Sequence, residues 1–145
     1  MPRTFAEDYE KGLENEERVR VVLEECFEEP LTKLDPKHPM DYLAPGGYFE
    51  IKGRGFHKDK YETTMIPYSK VRWADEKTSI PVTFVFSFTD GIYYIHYNPD
   101  QFKEYDIMDF QRRARPDHFD REQLYCYIPI SDLTKIEAIP KSLQV

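Results

Sequence analysis

Apolar residues recur at helical spacing from residue 5 to residue 29. Tyr9, Leu13, Val19, Val22, Leu23, Cys26 and Phe27 fall on one stripe, which predicts an amphipathic helix, ended by Pro30. Residues 31–35 read as a short edge strand. PMDYLAPGGYFEIKGR, residues 39–54, reads as a hairpin with APGG as a four-residue loop. GFHKDKYETTMI, residues 55–66, is a polar loop, and PYSKVRWADEKT, residues 67–78, a second helix with Pro67 near its start. VTFVFSF, residues 82–88, is apolar on both faces, the mark of a central strand. Asp90-Gly91 then turns tightly into IYYIHY, residues 92–97. Residues 99–123 are mixed and partly helical, and LYCYIPI, residues 124–130, is a final strand. A helix, strands, a second helix and further strands make a mixed α/β domain around one sheet.

Composition narrows the class. A chain of 145 residues fits one domain, residues 1–145, and can bury a core without disulfide or metal staples. Hydrophobic residues make up 40% of it, which excludes a disordered protein. No run of about 18 apolar residues is present, so no membrane span is expected. The stretch MPRTFAEDYEKG lacks an apolar signal core, so a cytoplasmic or other intracellular location is expected. Cys26 and Cys126 are too few for a disulfide framework or a zinc site, and both sit in apolar patterns, as buried free thiols do. The net charge of −7 speaks mildly against a basic nucleic-acid footprint. The acid, however, is concentrated in residues 7–29, while Lys and Arg gather at 52–60, 70–77 and 112–115, so local distribution decides. The chain has no internal repeat, and no P-loop, GxGxxG, HExxH or GxSxG pattern anchors nucleotide, zinc-protease or serine-hydrolase chemistry.

The hairpin carries the chemistry. Within YFEIKGR, residues 48–54, Glu50 and Lys52 share one face and Phe49 and Ile51 the other. If APGG is the loop, Leu43 pairs with Tyr48 and Asp41 lies directly across from Glu50, with Cβ atoms about 4.5–5.5 Å apart. Like charges so placed are destabilising unless something positive is near. Lys52 is one candidate; a hard divalent cation, held by one or two carboxylates with waters and phosphate, is the other. The helix supplies a third acid. Glu16, three residues after Leu13 and three before Val19, points into the apolar stripe at about 100° per residue. Gly12 on the same face would let the helix approach the sheet closely. A buried carboxylate needs a partner, and the Asp41/Glu50/Lys52 cluster is the expected one. Taken singly, Glu50–Lys52 could be a solvated ion pair, Asp41 a turn cap and Glu16 a border residue. Their convergence on one place points to a reactive site.

PMD at 39–41, followed after eight residues by EIK at 50–52, resembles the PD-(D/E)xK nuclease motif. Glu16 in GLENEERV resembles the helix glutamate that precedes this motif in many members, phage-type Holliday-junction resolvases among them. The resemblance covers roughly residues 9–97. One departure is Met40, which stands between Pro39 and Asp41. The family implies a restriction-endonuclease-like core: an N-terminal helix, a mixed central sheet whose β-hairpin carries the active site, a second helix and further strands. It implies metal-dependent hydrolysis of DNA phosphodiester bonds, by an endonuclease in DNA processing, repair or recombination. Asp41 and Glu50, with the carbonyl of Ile51, would then hold Mg²⁺ or Mn²⁺, and Glu16 would bind the metal directly or through water. Lys52 would position or activate water, or stabilise charge on the phosphate.

With DNA as partner, the backbone calls for Lys and Arg. Arg54 shares the Lys52 face, and His57, Lys58 and Lys60 follow in the loop. Lys70 and Arg72 open the second helix, and Tyr68 and Ser69 stand at its N-terminal end, where backbone N–H groups favour anions. QRRAR at 111–115 is a second basic cluster, a DNA-contact loop or a solvated turn. His38 and His57 could assist the chemistry but have no ligand spacing. Phe84, Phe86, Phe88, Tyr93, Tyr94 and Tyr97 read mostly as core. A homodimer would suit the cutting of two strands. Two rivals remain from other classes: a non-catalytic nucleic-acid-binding or assembly module that keeps the nuclease fold, and a structural protein with a buried ion-pair network.

Overall fold

The structure, a computed structural model, describes residues 4–110 and 123–136. The first helix, α1 (Phe5–Phe27), begins at Thr4, whose hydroxyl accepts the Glu7 N–H at 3.2 Å. It ends where Glu28 turns left-handed, at φ 55°, two residues before Pro30. Val19 and Leu23 are fully buried, whereas Leu13 is 36% exposed.

Then follow β1 (Thr32–Lys33), β2 (Tyr42–Ala44), β3 (Gly47–Gly53), β4 (Thr63–Pro67), α2 (Tyr68–Glu76), β5 (Val82–Phe88) and β6 (Gly91–His96). The short helix α3 (Pro99–Phe102) leads to β7 (Asp106–Phe110), and β8 (Gln123–Pro129) and β9 (Thr134–Lys135) complete the order. A six-stranded mixed sheet runs β1-β2-β3-β5-β6-β9, in which β3 and β5 are parallel and the remaining pairs antiparallel. The helix, hairpin, helix and strand order expected from the resemblance is present.

Two features differ from the sequence reading. There are two sheets, not one: β4, β8 and β7 form a separate antiparallel sheet. Its strand β4 lies inside the stretch read as a polar loop. TTMIP offers polar threonines and a proline, which hide the alternation, yet Thr64 and Ile66 are buried while Thr63, Met65 and Pro67 are less so. The hairpin loop is also tighter than four residues. Ala44 pairs with Gly47, leaving only Pro45 and Gly46 to turn the chain. Gly47 permits this: its φ is 143°, and a Cβ there would meet the Pro81 carbonyl oxygen at 2.3 Å.

The central sheet is covered on both faces. Phe49, Ile51 and Val85 pack with Val19, Leu23, Leu31 and Tyr42 on the α1 side. Phe84, Phe86 and Phe88 pack on the other side with Val71 and Ala74 of α2 and with Ile66, Cys126 and Ile128 of the second sheet. All seven residues of β5 are therefore buried, as their unbroken apolar run requires. Tyr93 of β6 is core as expected, and Ile95 is buried too, whereas Tyr94 and Tyr97 are only partly buried. The close approach of helix to sheet is not at Gly12, which has nothing within 4 Å of a would-be Cβ. It lies at Gly53, where a Cβ would come 2.9 Å from the Asn15 amide nitrogen. Cys126 is buried and Cys26 partly so, and both are free thiols. Among the described residues no helix is long and apolar enough to cross a membrane.

Candidate active site

The register of the hairpin places the acids. Leu43 pairs with Tyr48 and Tyr42 with Phe49, and Asp41, just before β2, brings its carboxyl close enough to Glu50 for the two acids to interact. The Asp41 N–H donates to the Phe49 carbonyl at 3.0 Å, so Asp41 and Tyr42 both stand against Phe49, as in a bulge at the start of β2. The Asp41 side chain in turn accepts the Ile51 N–H through Oδ2 at 2.7 Å. The N–H groups of Tyr48 and Arg54 point the other way, toward the Pro81 and Ser87 carbonyls. Backbone polar groups alternate along a strand, so the Ile51 carbonyl turns to the same edge as its N–H, beside Asp41.

Glu50 is the buried member, only 2% exposed. Its Oε2 lies 3.5 Å from the Lys52 ammonium and 3.4 Å from that of Lys70. Its Oε1 is buried and accepts no hydrogen bond among the described residues. Burial pushes its carboxyl up to about 7; Lys52 and Lys70 oppose that rise, and Asp41 adds to it. Lys70 is further held by the Pro39 carbonyl, to which its ammonium donates.

Glu16 approaches the same group from α1. Burial raises its carboxyl, Lys33 pulls it back, and Asp41 raises it again. The Lys33 ammonium donates to Glu16 Oε2 at 2.9 Å and stands 5.1 Å from the Tyr42 ring centre. The hydroxyl of Tyr42 donates to the neighbouring Glu17 at 3.3 Å. The cluster thus reads in space as Lys33, Glu16, Asp41 and Glu50, closed by Lys52 and Lys70. Three carboxylates lie between lysines at both ends.

Lys33 is the member that sequence reasoning missed. It sits on a two-residue strand too short to show periodicity, and its charge is opposed to Glu16 only once β1 pairs with β2 at Lys33↔Tyr42. Lys70, assigned from sequence to the DNA backbone, faces inward to Glu50 instead of outward to solvent.

The other basic residues scatter. Arg54 follows β3, two residues beyond Lys52, but its guanidinium donates to the Thr64 hydroxyl at 3.3 Å and to the Met65 and Gly53 carbonyls. The Lys58 ammonium lies 5.0 Å from the Tyr93 ring centre, and its N–H donates to Asp90. Lys60 stands over Phe56 and Tyr61. Ser69 is exposed in the first turn of α2, and Arg72 is exposed and ion-paired to Glu76 at 3.4 Å. His57 pairs loosely with Asp90, at 3.7 Å. His38 accepts the Met40 N–H and packs against Tyr48 and Trp73, which makes it a structural residue. The QRRAR cluster at 111–115 lies outside the described residues.

The donors present suit a hard divalent cation. Asp41 and Glu50 offer carboxylate oxygens, Glu50 Oε1 is an unpartnered buried acceptor, and the Ile51 carbonyl faces the same edge. Among the described residues no three His, Cys, Asp or Glu side chains gather as a complete ligand set. A cation of the Mg²⁺ kind is commonly held by one or two carboxylates, with waters and phosphate in the remaining positions.

A family model described as "Phage putative PDDEXK endonuclease" matches residues 4–136. The match spans most of the chain, and the protein belongs to this family, with the PD-(D/E)xK nuclease superfamily behind it. No curated protein matches the sequence.

Proposed function

We propose that the protein is a metal-dependent nuclease that hydrolyses DNA phosphodiester bonds, acting as an endonuclease in DNA processing, repair or recombination from one domain. The observation that carries this reading is the closeness of Asp41 to the buried Glu50, whose Oε2 faces Lys52 and Lys70 while its Oε1 is buried and unpartnered among the described residues. A fold optimised only for stability gains nothing from this pair.

Asp41, Glu50 and the Ile51 carbonyl are the residues that would hold Mg²⁺ or Mn²⁺, with Glu16 at the border of the set. When bound, the cation supplies Lewis acidity to the scissile phosphate and a water of lowered pKa.

The remaining work belongs to the chain. Lys70 is clamped between Glu50 and the Pro39 carbonyl, so it fixes the Glu50 carboxylate and offsets part of the cost of burying it. Lys52 is the more exposed lysine, one third accessible, and its ammonium can reach a phosphate oxygen from the solvent side while still facing Glu50. There it orients the attacking water and stabilises charge that develops on the phosphate. Hydrolysis adds water across a P–O bond: the oxygen goes to phosphorus and a proton goes to the leaving oxygen. Lys33 donates to the half-buried Glu16 and opposes the rise that burial imposes on its carboxyl.

The test is cleavage of supercoiled plasmid, linear duplex, single strand and a four-way junction, each with Mg²⁺, Mn²⁺ or EDTA. Metal-dependent cutting supports the reading and reveals the preferred substrate. No cutting of any substrate, with no metal uptake by calorimetry, overturns it and leaves a nucleic-acid-binding or assembly module that retains the fold.

A further inference from the structure

A cavity of about 490 Å³ opens beside the catalytic strand. One wall is Arg54, the residue that follows β3 and two residues beyond Lys52, hence about 6–7 Å from it along the extended chain. Four aromatic residues, Phe56, Tyr61, Tyr125 and Tyr127, line it as well, with Thr63, Thr64, Met65 and Pro67. The size falls within the usual range for a small-molecule or nucleotide-sized pocket.

The cavity has a rigid side and an open side. Arg54 is pinned by the Thr64 hydroxyl and the Met65 carbonyl and lies 5.6 Å from the Phe86 ring centre. It joins the edge of the second sheet to the catalytic strand. At the rim, Phe56 and Tyr61 meet edge to face with centroids 5.2 Å apart. The Lys60 ammonium stands 5.4 and 5.5 Å from these two rings. Tyr61 is 54% exposed, a large ring offered to solvent at the mouth of an aromatic pocket.

Flat aromatic faces bind any nucleobase by stacking, and a cation beside them suits the phosphate of the same nucleotide. Hydroxyls from Thr64 and the tyrosines can meet the edge of a base. We propose that this cavity receives an unpaired nucleobase of the strand being cut, stacked on Tyr61 and meeting Phe56 edge to face, with its phosphate against Lys60. The proposal rests on the nuclease reading for the identity of the strand and adds a substrate class to it. A base held in a duplex must leave its stack to enter, whereas an unpaired base enters without that cost. The enzyme therefore selects single-stranded or unpaired positions next to its cleavage site.

The experiment uses the full chain and a short single-stranded oligonucleotide that carries 2-aminopurine, whose fluorescence is quenched when the base stacks. In EDTA, where no cleavage runs, wild type and Tyr61→Phe quench the probe. Tyr61→Ala, at an exposed position that the fold does not need, binds it roughly tenfold more weakly. With Mg²⁺ or Mn²⁺, the ratio of cutting rates on a duplex with one unpaired nucleotide and on the fully paired duplex falls in Tyr61→Ala and is kept in Tyr61→Phe. Equal probe affinity and quenching in wild type and Tyr61→Ala overturn the proposal. If wild type cuts neither duplex while the quenching difference persists, the nuclease reading fails and the base-binding pocket stands.

Discussion

The ammonium of Lys70 lies 3.4 Å from the buried Glu50 carboxylate, although the two residues come from different elements, β3 and α2, with β4 between them in sequence. The contact gives the acid of the hairpin a counter-charge from outside the hairpin. The two lysines near Glu50 thereby differ in role, since Lys70 is fixed inward while Lys52 keeps access to solvent.

Lys52→Ala is therefore expected to abolish most cleavage and spare the fold. A drop of at least about 100-fold in the cutting rate is anticipated, with a melting temperature close to that of wild type. Lys70→Ala is expected to lower both quantities, because it removes a cation that faces a buried carboxylate. Plasmid nicking rates and thermal denaturation of the two variants decide between these outcomes.

The Glu50 carboxyl, raised to about 7 from an ordinary 4.5, makes the metal-free protein sensitive to alkali. The folded form holds a proton that the unfolded chain releases near 4.5. The stabilising contribution is thus complete below about pH 4.5 and is lost as pH rises through about 7, amounting to order 3 kcal/mol. In EDTA the melting temperature of wild type should fall from pH 5 to pH 8. Glu50→Gln should remove that fall and melt higher than wild type at pH 8. A wild-type melting temperature that does not change over this range would contradict the assignment.

Adding Mn²⁺ or Mg²⁺ at pH 8 should raise the melting temperature of wild type in step with the logarithm of metal concentration. Asp41→Asn and Glu50→Gln should lose this response, and Arg72→Ala should keep it, since Arg72 pairs with Glu76 on the exposed side of α2. A differential scanning measurement across a metal titration reads all four proteins.

Two glycines should respond in opposite directions. Gly12→Ala, at an exposed helical position with open space around it, should stabilise by about 0.5–1 kcal/mol. Gly47→Ala should destabilise by more than about 2 kcal/mol, because a Cβ would strike the Pro81 backbone at a φ that alanine avoids. Urea denaturation compares them directly.

Much of the site is legible in the chain because its signals are local. Alternation in YFEIKGR sets the faces of Glu50 and Lys52, and the turn residues of APGG mark the hairpin that brings Asp41 near Glu50, even though the loop closes two residues tighter. Glu16 stands out against the helical stripe around it. What escapes comes from pairings that no single window contains. Lys33 meets Glu16 only through a two-residue edge strand. Lys70 turns inward because α2 packs under β5 and beside β8. The second sheet stays hidden because Thr63–Pro67 has no clear alternation and its partner strand is more than fifty residues downstream. Gly12 misleads because nothing lies within 4 Å of a would-be Cβ there, and the close contact falls instead between Asn15 and Gly53.

The parallel pairing of β3 with β5 has a kinetic consequence. Tyr48 meets Val82 and Gly53 meets Ser87, so the strand that carries Glu50 completes its ladder only after the chain through β4 and α2 has been laid down. The β2–β3 hairpin needs no such delay, since its partners are adjacent. A growing or refolding chain can bring Asp41 and Glu50 near each other early, while both are still in water. The desolvation that lifts Glu50 comes later, with the long-range closure of β5 and the arrival of Lys70. Such non-local pairing is slow compared with hairpin formation. The assembled site should appear in the last kinetic phase of refolding, well after the bulk of the β-signal.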